Sequence, residues 1–275
     1  MSAETVANLR GISAKDAAIF DRLVAPSRPQ TKHGMTVHEG SRIIVFGKTG
    51  SGKTSLMRGV VATMLQRRYA EFALIHDTKG IFPEYPRSIQ LPNINAFVAR
   101  GGLNKGDIPI YSFRGDVRQD VEVSAEEVAG FSRYLLKQGQ TGEDGIWRPR
   151  PILTVIEELA AAATAGGKHV SAPSVKWISK EGRKVGGSLL GTTQSPREVP
   201  LALPDQASAI VYFSIKGADS NYLAERLHID DEIVSALRGA SNEGLPDYKF
   251  IVAISGEPWD REIHQLDAKT VRMFE

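Results

Sequence analysis

Eight residues, GKTGSGKT at positions 47–54, have the types and the spacing of a phosphate-binding loop. They fit G-x-x-x-x-G-K-[ST] at every fixed position. Glycines let backbone N–H groups wrap around an anion, and a helix that starts after the loop directs its positive end at phosphates. The loop therefore predicts a phosphate-binding site, in which Lys53 reaches the β- and γ-phosphates of a nucleotide and Thr54 binds Mg²⁺. The predicted nucleotide-binding residues are Gly47, Lys48, Thr49, Gly50, Ser51, Gly52, Lys53, Thr54 and Ser55.

Two acidic residues follow a second apolar segment, PILTVI at 151–156. An enzyme that hydrolyses a nucleotide needs an acid to hold the metal and a base to orient water, and both usually lie at the end of a buried strand. Glu157 is therefore predicted to hold Mg²⁺ through water, and Glu158 to polarise the attacking water. The alternative is that both are carboxylates in the first turn of a helix, where the helix dipole stabilises them.

Gln194 is the third candidate for catalysis, since it follows the apolar segment SLLGTT at 188–193. In an open α/β sheet, ligands bind at the carboxyl ends of the strands. A side-chain amide at that position could contact the γ-phosphate or the attacking water. The alternative is a turn residue before Ser195 and Pro196.

The segments around these residues alternate between apolar strands and helices, which predicts an α/β fold with a parallel, doubly wound sheet. The run RIIVF before the loop is typical of a buried strand. Ser124 and Glu127 form a capping box that opens a further helix. Strands are predicted at 42–46, 72–76, 108–113, 151–156, 188–193, 207–215 and 248–254, helices at 14–24, 54–68, 124–137, 220–227 and 231–238, and irregular structure at 83–107.

Four motifs, in one order over residues 42–215, make the sequence resemble the FtsK–HerA superfamily of DNA-pumping ATPases. They are the GKTGSGKT loop, D-x-K-G in HDTKG (Asp77 and Lys79), G-R at 182–183 and T-Q-x-P at 193–196. Glu157 departs from the family, which normally has Asp before Glu, and its side chain is one methylene longer. The interval from Glu158 to Arg183 is also long for the family and implies an insertion.

The resemblance implies a RecA-like P-loop NTPase of the additional-strand, catalytic-glutamate class, with a mainly parallel sheet flanked by helices. It also implies hydrolysis of ATP, with Mg²⁺, by a homo-oligomeric ring, most often a hexamer. Such a ring moves double-stranded DNA through its pore without reading its sequence. The nucleotide would lie between subunits, where an arginine of the neighbour completes the site. Arg183 holds the matching position; Arg148 and Arg150 are alternatives, and a solvated surface charge is the other explanation.

Residues 166–184 carry five basic residues and one acidic residue, whereas the net charge of the whole chain is only +2. Such a segment could line a pore and hold DNA phosphates without reading bases. Its Gly, Pro and Ser content suits a mobile loop; the alternative is an ordinary basic surface helix, in which Trp177 packs rather than stacks on a base. The predicted DNA-binding residues are Lys168, Lys176, Lys180 and Lys184.

Composition excludes several other classes of protein. Of the 275 residues, 41% are hydrophobic and 24% charged, as in globular proteins, and the absence of Cys excludes a disulfide framework. No apolar run reaches the roughly 18 residues of a membrane span, and MSAETVANLRG lacks the apolar segment of a signal peptide. A cytoplasmic location is expected, in the host cytoplasm or the virion if the protein is viral. We expect an N-terminal helical extension at 1–40, whose amphipathic helix contacts a partner, and a P-loop ATPase domain at 41–275.

The size of the chain and the motifs that it lacks favour one group within the superfamily that the sequence resembles. Neither a membrane segment, nor a DNA-reading domain, nor an N-terminal β-barrel is found, so the chain looks most like the genome-packaging ATPases of tailless, membrane-containing viruses. Its further partner would be a capsid vertex or portal protein. The alternatives are another pump of the family in conjugation or mobile-element transfer, an ATPase of virion or filament assembly, and a nucleotide switch. Glu158 and Arg183 argue against a passive switch.

Overall fold

Nine strands form one sheet in the part of the chain that the structure describes. The structure is a computed structural model, and it describes residues 12–25, 29–32, 35–77, 88–99, 110–113, 123–141, 147–148, 150–162, 172–215, 219, 221–222, 225, 234–235, 248–257 and 262–274. The strands are β1 (Pro29–Lys32), β2 (Met35–His38), β3 (Arg42–Phe46), β4 (Phe72–His76), β5 (Ser88–Leu91), β6 (Ile110–Phe113), β7 (Gln140–Thr141), β8 (Trp147–Arg148), β9 (Ile152–Ile156), β10 (Gly187–Thr193), β11 (Ala209–Tyr212), β12 (Lys249–Ile254) and β13 (His264–Gln265). The helices are α1 (Ala14–Val24), α2 (Lys53–Gln66), α3 (Ile94–Ala99), α4 (Ala125–Gln138), α5 (Pro173–Lys180) and α6 (Ala268–Phe274).

Parallel pairing dominates the sheet, whose strand order is β13-β12-β11-β3-β10-β9-β4-β6-β5. Every pair from β11 to β5 is parallel, whereas β12 runs antiparallel to β11 and β13 antiparallel to β12. β10 lies between β3, which leads into the phosphate loop, and β9, which ends just before Glu157. This inserted strand is the arrangement expected of the additional-strand class, so the predicted fold class is confirmed.

Helices cover both faces of the sheet because alternate residues of a strand face opposite sides. Ile43 and Val45 of β3 join one core cluster, together with residues of α1 and α2. Ile44 and Phe46 of the same strand join a second cluster with residues of α5. A buried strand of this kind reads as a continuous apolar run, which is why RIIVF could be recognised from the sequence.

Helix α1 belongs to the core of this fold. Its cap is Ser13, whose Oγ accepts the Asp16 N–H at 3.1 Å. Phe20, Leu23 and Val24 have no exposed surface. The Phe20 ring fills the space left by Gly59 of α2, where an added Cβ would lie 2.3 Å from Phe20 Cζ. The apolar face of α1 is therefore buried within the chain, and contact of residues 1–40 with a neighbouring subunit or a capsid vertex stays a prediction. The division at residue 40 stays a prediction.

Most predicted elements are confirmed within a few residues, including α1, β3, β4 and the capping box of α4. The prediction of irregular structure at 83–107 is wrong, because that range contains β5 and α3. Only Leu91 and Phe97 are buried in these two elements, so neither has an apolar run that marks it in the sequence. The predicted helices at 220–227 and 231–238 lie largely outside the described residues. None of the described helices is long and apolar enough to cross a membrane.

Replacing Phe20 by Ala tests the place of α1 in the core. We expect Phe20→Ala to lower the free energy of unfolding by about 3–5 kcal/mol, the usual cost of removing a buried aromatic ring. The matched control is Lys15→Ala on the exposed side of the same helix, which should change it by less than about 0.5 kcal/mol. Urea titration followed by circular dichroism measures both. Equal, small losses would show that α1 packs only weakly.

Candidate nucleotide site

The phosphate loop, residues 47–52, connects the end of β3 to the start of α2. The Gly47 N–H donates to Thr193 O of β10 at 3.2 Å, and the Lys48 N–H donates to Ser214 O, beyond β11, at 2.9 Å. Gly50 and Gly52 have φ angles of +78° and +106°, in the left-handed region that L side chains rarely adopt. The loop is thus held by the strands on both sides of β3.

Two of the loop glycines are also required by space. A Cβ on Gly47 would lie 2.6 Å from Phe213 Cβ, and a Cβ on Gly52 would lie 2.7 Å from Tyr248 Cδ1. Such contacts are far inside van der Waals distance, so neither position accepts a side chain without displacing its neighbour. Gly50 differs, because an added Cβ there would meet no atom within 4 Å.

Lys53 lies inside the loop and is only 9% exposed. Its Nζ donates to Gly47 O at 2.6 Å and to Lys48 O at 2.8 Å. The N-cap of α2 is Gly52, which has no side chain to accept the first N–H groups of the helix. A buried ammonium and an uncapped helix N-terminus at one place form a cradle for phosphate, as the loop sequence predicts.

The two predicted acids stand at the end of β9 in different environments. Glu157 is 3% exposed, its N–H donates to His76 O at 3.3 Å, and its carbonyl oxygen accepts the Thr192 hydroxyl. Glu158 is half-buried. Its Oε1 is buried, and no hydrogen-bond donor among the described residues reaches it. Before the description breaks off at residue 162, a four-residue 3₁₀ helix, Leu159–Ala162, follows rather than an α-helix, so the helix-dipole explanation of the two acids has little support.

Gln194 lies where the sequence predicts it, directly after β10 and beside the loop. The Thr49 hydroxyl donates to Gln194 Oε1 at 2.9 Å. Since β10 separates β3 from β9, the loop and Glu157 are about 10 Å apart, two strand spacings. The arrangement brings Lys53, Gln194 and the two acids to one edge of the sheet.

A nucleotide and Mg²⁺ fit these residues. Magnesium in nucleotide sites is usually held by one or two carboxylates together with phosphates and water. Thr54 is the second residue of α2, beside the loop, and Glu157 supplies a carboxylate, which meets that need. Within the described ranges there is no group of three or more His, Asp or Glu side chains that could hold a metal without help from a phosphate.

His76 ends β4, which lies next to β9, and Asp77 follows it. His76 pairs in register with Ile156, which places Asp77 beside Glu157. The His76 Nε2 lies 2.9 Å from Val123 O, and burial lowers the pKa of His76 below its ordinary 6.5. The ring is therefore neutral near pH 7 and packs as a structural group. Asp77 is fully buried; Lys79, the other residue of its motif, lies outside the described residues.

Arg183 stands at the opposite edge of the sheet. It precedes β10, whose far end holds the phosphate loop through Thr193. The seven residues of β10 span about 20 Å. Arg183 therefore lies too far away to touch the loop of its own subunit.

A pocket of about 430 Å³ surrounds the Arg183 side chain. Arg42 lines it and donates through Nη1 to Ser179 O at 3.2 Å. Burial, and then repulsion from Arg183, lower the pKa of Arg42 below its ordinary value. Two neighbouring guanidinium groups that repel each other favour an anion between them. The other charged residues that line the pocket are Lys180, Glu181, Lys184 and Asp205.

The other two arginine candidates are less suitable or lie outside the description. Arg150 Nε donates to Glu71 Oε2 at 2.8 Å, and its guanidinium lies 5.4 Å from the centroid of the Phe72 ring. It is thus engaged within its own subunit. The side chain of Arg148 is not among the described ones.

The segment predicted to contact DNA is, from residue 173 onward, a packed helix. Val175 and Ile178 of α5 are buried, while Lys176 and Lys180 are exposed. Lys184 pairs with Glu181 at 2.7 Å. The surface-helix alternative is therefore right for α5, and the mobile-loop prediction is wrong there. Lys168 lies outside the described residues.

Trp177 is half-buried beneath two cations of α4. The Arg133 guanidinium and the Lys137 ammonium lie 5.3 Å and 5.7 Å from the centroid of its ring. Trp177 therefore packs rather than offering an open face to a base. No local sequence pattern assigns Arg133 and Lys137 to the basic surface of α5, because only the tertiary packing of α4 on α5 brings them there.

Solved structures provide the decisive comparison. The chain is similar to the genome packaging NTPase B204 from Sulfolobus turreted icosahedral virus 2, solved in complex with sulfate, at a TM-score of 0.58 and 15% identity over 84% of this chain and 98% of that one. The chain has a RecA-like P-loop NTPase fold. VirB4 of Thermoanaerobacter pseudethanolicus shares this fold at a TM-score of 0.58 and 11% identity, over 88% of this chain and 96% of that one.

A third P-loop neighbour is a much longer protein. The cytoplasmic domain of the Thermomonospora curvata Type VII Secretion ATPase EccC matches at a TM-score of 0.51 and 12% identity, over 84% of this chain and 25% of that one. No protein-family model matches the sequence, and no curated protein matches it either. The predicted resemblance is thus confirmed for the fold.

A pair of glycine substitutions tests the loop. Gly52→Ala is expected to weaken ATP binding about tenfold or more, since overpacking costs about 1–3 kcal/mol and 1.4 kcal/mol is a factor of ten. Gly50→Ala is the matched control, because it has a similar left-handed backbone but open space around Cβ, and its loss should be smaller. Calorimetric titration with ATP and Mg²⁺ measures both. Equal losses would mean that the backbone angle, rather than the contact with Tyr248, governs the loop.

Proposed function

We propose that the protein hydrolyses ATP to ADP and phosphate and uses the free energy to move double-stranded DNA, as a viral genome-packaging motor. The observation that carries the proposal is the meeting of Lys53, Glu158 and Gln194 at one edge of a sheet with β10 inserted between β3 and β9. A site that only held a nucleotide would need the loop but no candidate base. The likeness to B204, a genome packaging NTPase, over 98% of that chain supports DNA packaging as the task.

Hydrolysis is assigned to the residues at the loop edge. Lys53 binds the β- and γ-phosphates, while Thr54 and Glu157 would hold Mg²⁺, which neutralises phosphate charge when it is bound. Glu158 orients the attacking water and accepts its proton, since the buried Oε1 has no donor among the described residues. Gln194 holds the γ-phosphate or the water, and its contact with the Thr49 hydroxyl keeps it at the loop.

Arg183 is proposed to act on the nucleotide of a neighbouring subunit. It is about 20 Å from the loop of its own subunit, yet it lines an open basic pocket at the other sheet edge. When the loop edge of one subunit meets the pocket edge of the next, the contact is head-to-tail, and repetition of such a contact closes a ring. A homo-oligomeric ring, most often a hexamer in the family that the sequence resembles, completes each site in this way.

DNA contact is assigned to cations without base-reading geometry. Lys176 and Lys180 are exposed on α5, and Arg133 and Lys137 extend the same surface. With Lys168 and Lys184, they would bind phosphates and not base edges, which predicts binding without sequence preference. The motor would act in the host cytoplasm or the virion, against a capsid vertex or portal protein.

A second candidate function is an assembly or secretion ATPase that does not pump DNA. The likeness to the Type VII Secretion ATPase EccC favours it, because the two chains share the P-loop fold at a TM-score of 0.51. The loop-edge chemistry would be the same in both cases. Only the substrate that is moved would differ.

The rate of ATP hydrolysis with and without long duplex DNA separates the two functions. A DNA motor should be stimulated several-fold, and the stimulation should decline as salt rises because phosphate contacts release counterions. Glu158→Gln should lower both rates at least about 10²-fold, the usual contribution of a general base. The matched control Glu257→Gln changes an exposed carboxylate that pairs with Arg22, and it should leave the rates unchanged. A rate that is indifferent to DNA would favour the assembly or secretion ATPase.

Mixed rings test whether Arg183 acts between subunits. Arg183→Ala alone should lower the ATPase rate by roughly 10³-fold or more, as for other arginines that complete a P-loop site. When this variant is mixed with Glu158→Gln subunits, some interfaces should regain both groups, so that activity returns. Arg22→Ala, an exposed arginine of α1, is the control and should behave as wild type. If the mixture stays inactive while the subunits still assemble, Arg183 does not act in trans.

A further inference from the structure

Tyr248, which directly precedes β12, has an unusual backbone conformation at the phosphate loop. Its φ angle is +63°, in the left-handed region that favours glycine. The only other non-glycine residue in this region, among those the structure describes, is Arg68 in the turn after α2. A residue with a large ring is disfavoured here, so the contacts of the ring need a reason.

The contacts of Tyr248 join the loop to the end of the chain. Its N–H donates to Ser51 O of the loop at 2.9 Å, and its own carbonyl oxygen accepts the Leu266 N–H at 3.0 Å. The ring lies against Gly52, because a Cβ on that glycine would be 2.7 Å from Tyr248 Cδ1. The residue as a whole is half-buried, so it packs on the loop at Gly52 and keeps part of its surface accessible.

The direction of a bound nucleotide follows from the positions of the other site residues. The γ-phosphate end must point towards Glu158 and Gln194, which follow β9 and β10 on one side of β3. The nucleoside end then extends to the other side of β3, over β11 and β12. Tyr212 of β11 pairs with Ile251 of the antiparallel β12, which places the start of β12 at the loop edge of the sheet.

We propose that Tyr248 binds the nucleoside base, with its ring stacked on the purine. The proposal rests on the proposed function at this site and adds the residue that recognises the base. Aromatic rings stack on every base through the π-face, so Tyr248 would raise affinity for nucleotides in general without selecting one purine over another. Its left-handed backbone sets the ring at the loop, next to Gly52, where an ordinary strand residue would not reach.

Paired ligands with and without the nucleoside test this assignment. ADP and inorganic pyrophosphate share the diphosphate, and neither is turned over by the enzyme's ATPase reaction, so calorimetric titration of each with Mg²⁺ isolates the nucleoside. Tyr248→Phe should keep both affinities, since the ring remains. Tyr248→Leu should weaken ADP about tenfold and leave pyrophosphate unchanged, because it keeps bulk against Gly52 but has no π-face. Tyr248→Ala should lose at least as much ADP affinity.

Each other result overturns the proposal. Equal losses of ADP and pyrophosphate in Tyr248→Leu would mean that the ring only supports the loop, and unchanged ADP affinity would mean that the base lies elsewhere. Tyr248→Leu is the deciding variant if Tyr248→Ala fails to fold, and thermal melting checks each variant. The ATPase rate of the wild-type protein is measured alongside. Wild-type protein that binds ADP but shows no DNA-stimulated hydrolysis would contradict the motor function while the stacking result still stands; wild-type protein that binds neither ligand would contradict both.

Discussion

Three backbone hydrogen bonds hold the phosphate loop in place, and the geometry of the site depends on them. They join Gly47 to Thr193, Lys48 to Ser214 and Ser51 to Tyr248, so that β10, the segment after β11 and the start of β12 each fix one point of the loop. A loop of this composition is flexible by itself, because its glycines lose much conformational freedom on ordering. The order of strands in the sheet therefore determines where Lys53 and the N-terminus of α2 point.

The parallel direction of the strands gives the subunit two unlike edges. All the residues that could hydrolyse a nucleotide follow strand ends, whereas Arg42 begins β3 and Arg183 precedes β10 at the other edge. The proposed action of Arg183 on another subunit needs a contact that brings the arginine pocket of one chain to the loop edge of the next. A head-to-tail contact of this kind closes into a ring where the rotation between chains allows it.

The features that could be predicted from the sequence are those that a local sequence pattern determines. The loop is an eight-residue motif, β3 and β9 are continuous apolar runs, and the capping box of α4 lies within four residues, so each was found with accurate bounds. β5 has one buried residue and α3 has one, and no pattern marks them. Arg42 and Tyr248 could not be assigned to sites either, because the residues that they contact there, Ser179 and Ser51, lie more than 130 residues away in the chain.

A series of hydrogen bonds connects the first and last helices of the described chain, α1 and α6, to the nucleotide site. The Tyr248 N–H donates to the loop, and the Tyr248 carbonyl oxygen accepts the Leu266 N–H. The N–H of the following residue, Asp267, donates to Asp16 Oδ2 of α1 at 3.0 Å. The Ser13 N–H donates to Thr270 Oγ1 of α6 at 3.2 Å. Asp16 has no exposed surface, whereas Asp267 is exposed, so the hydrogen bond between them is partly buried. Helices α1 and α6 both contact α2, whose N-terminus carries Lys53. The first helix is thus a structural support of the phosphate loop, and a change in its packing would reach the nucleotide site through α2 and Tyr248.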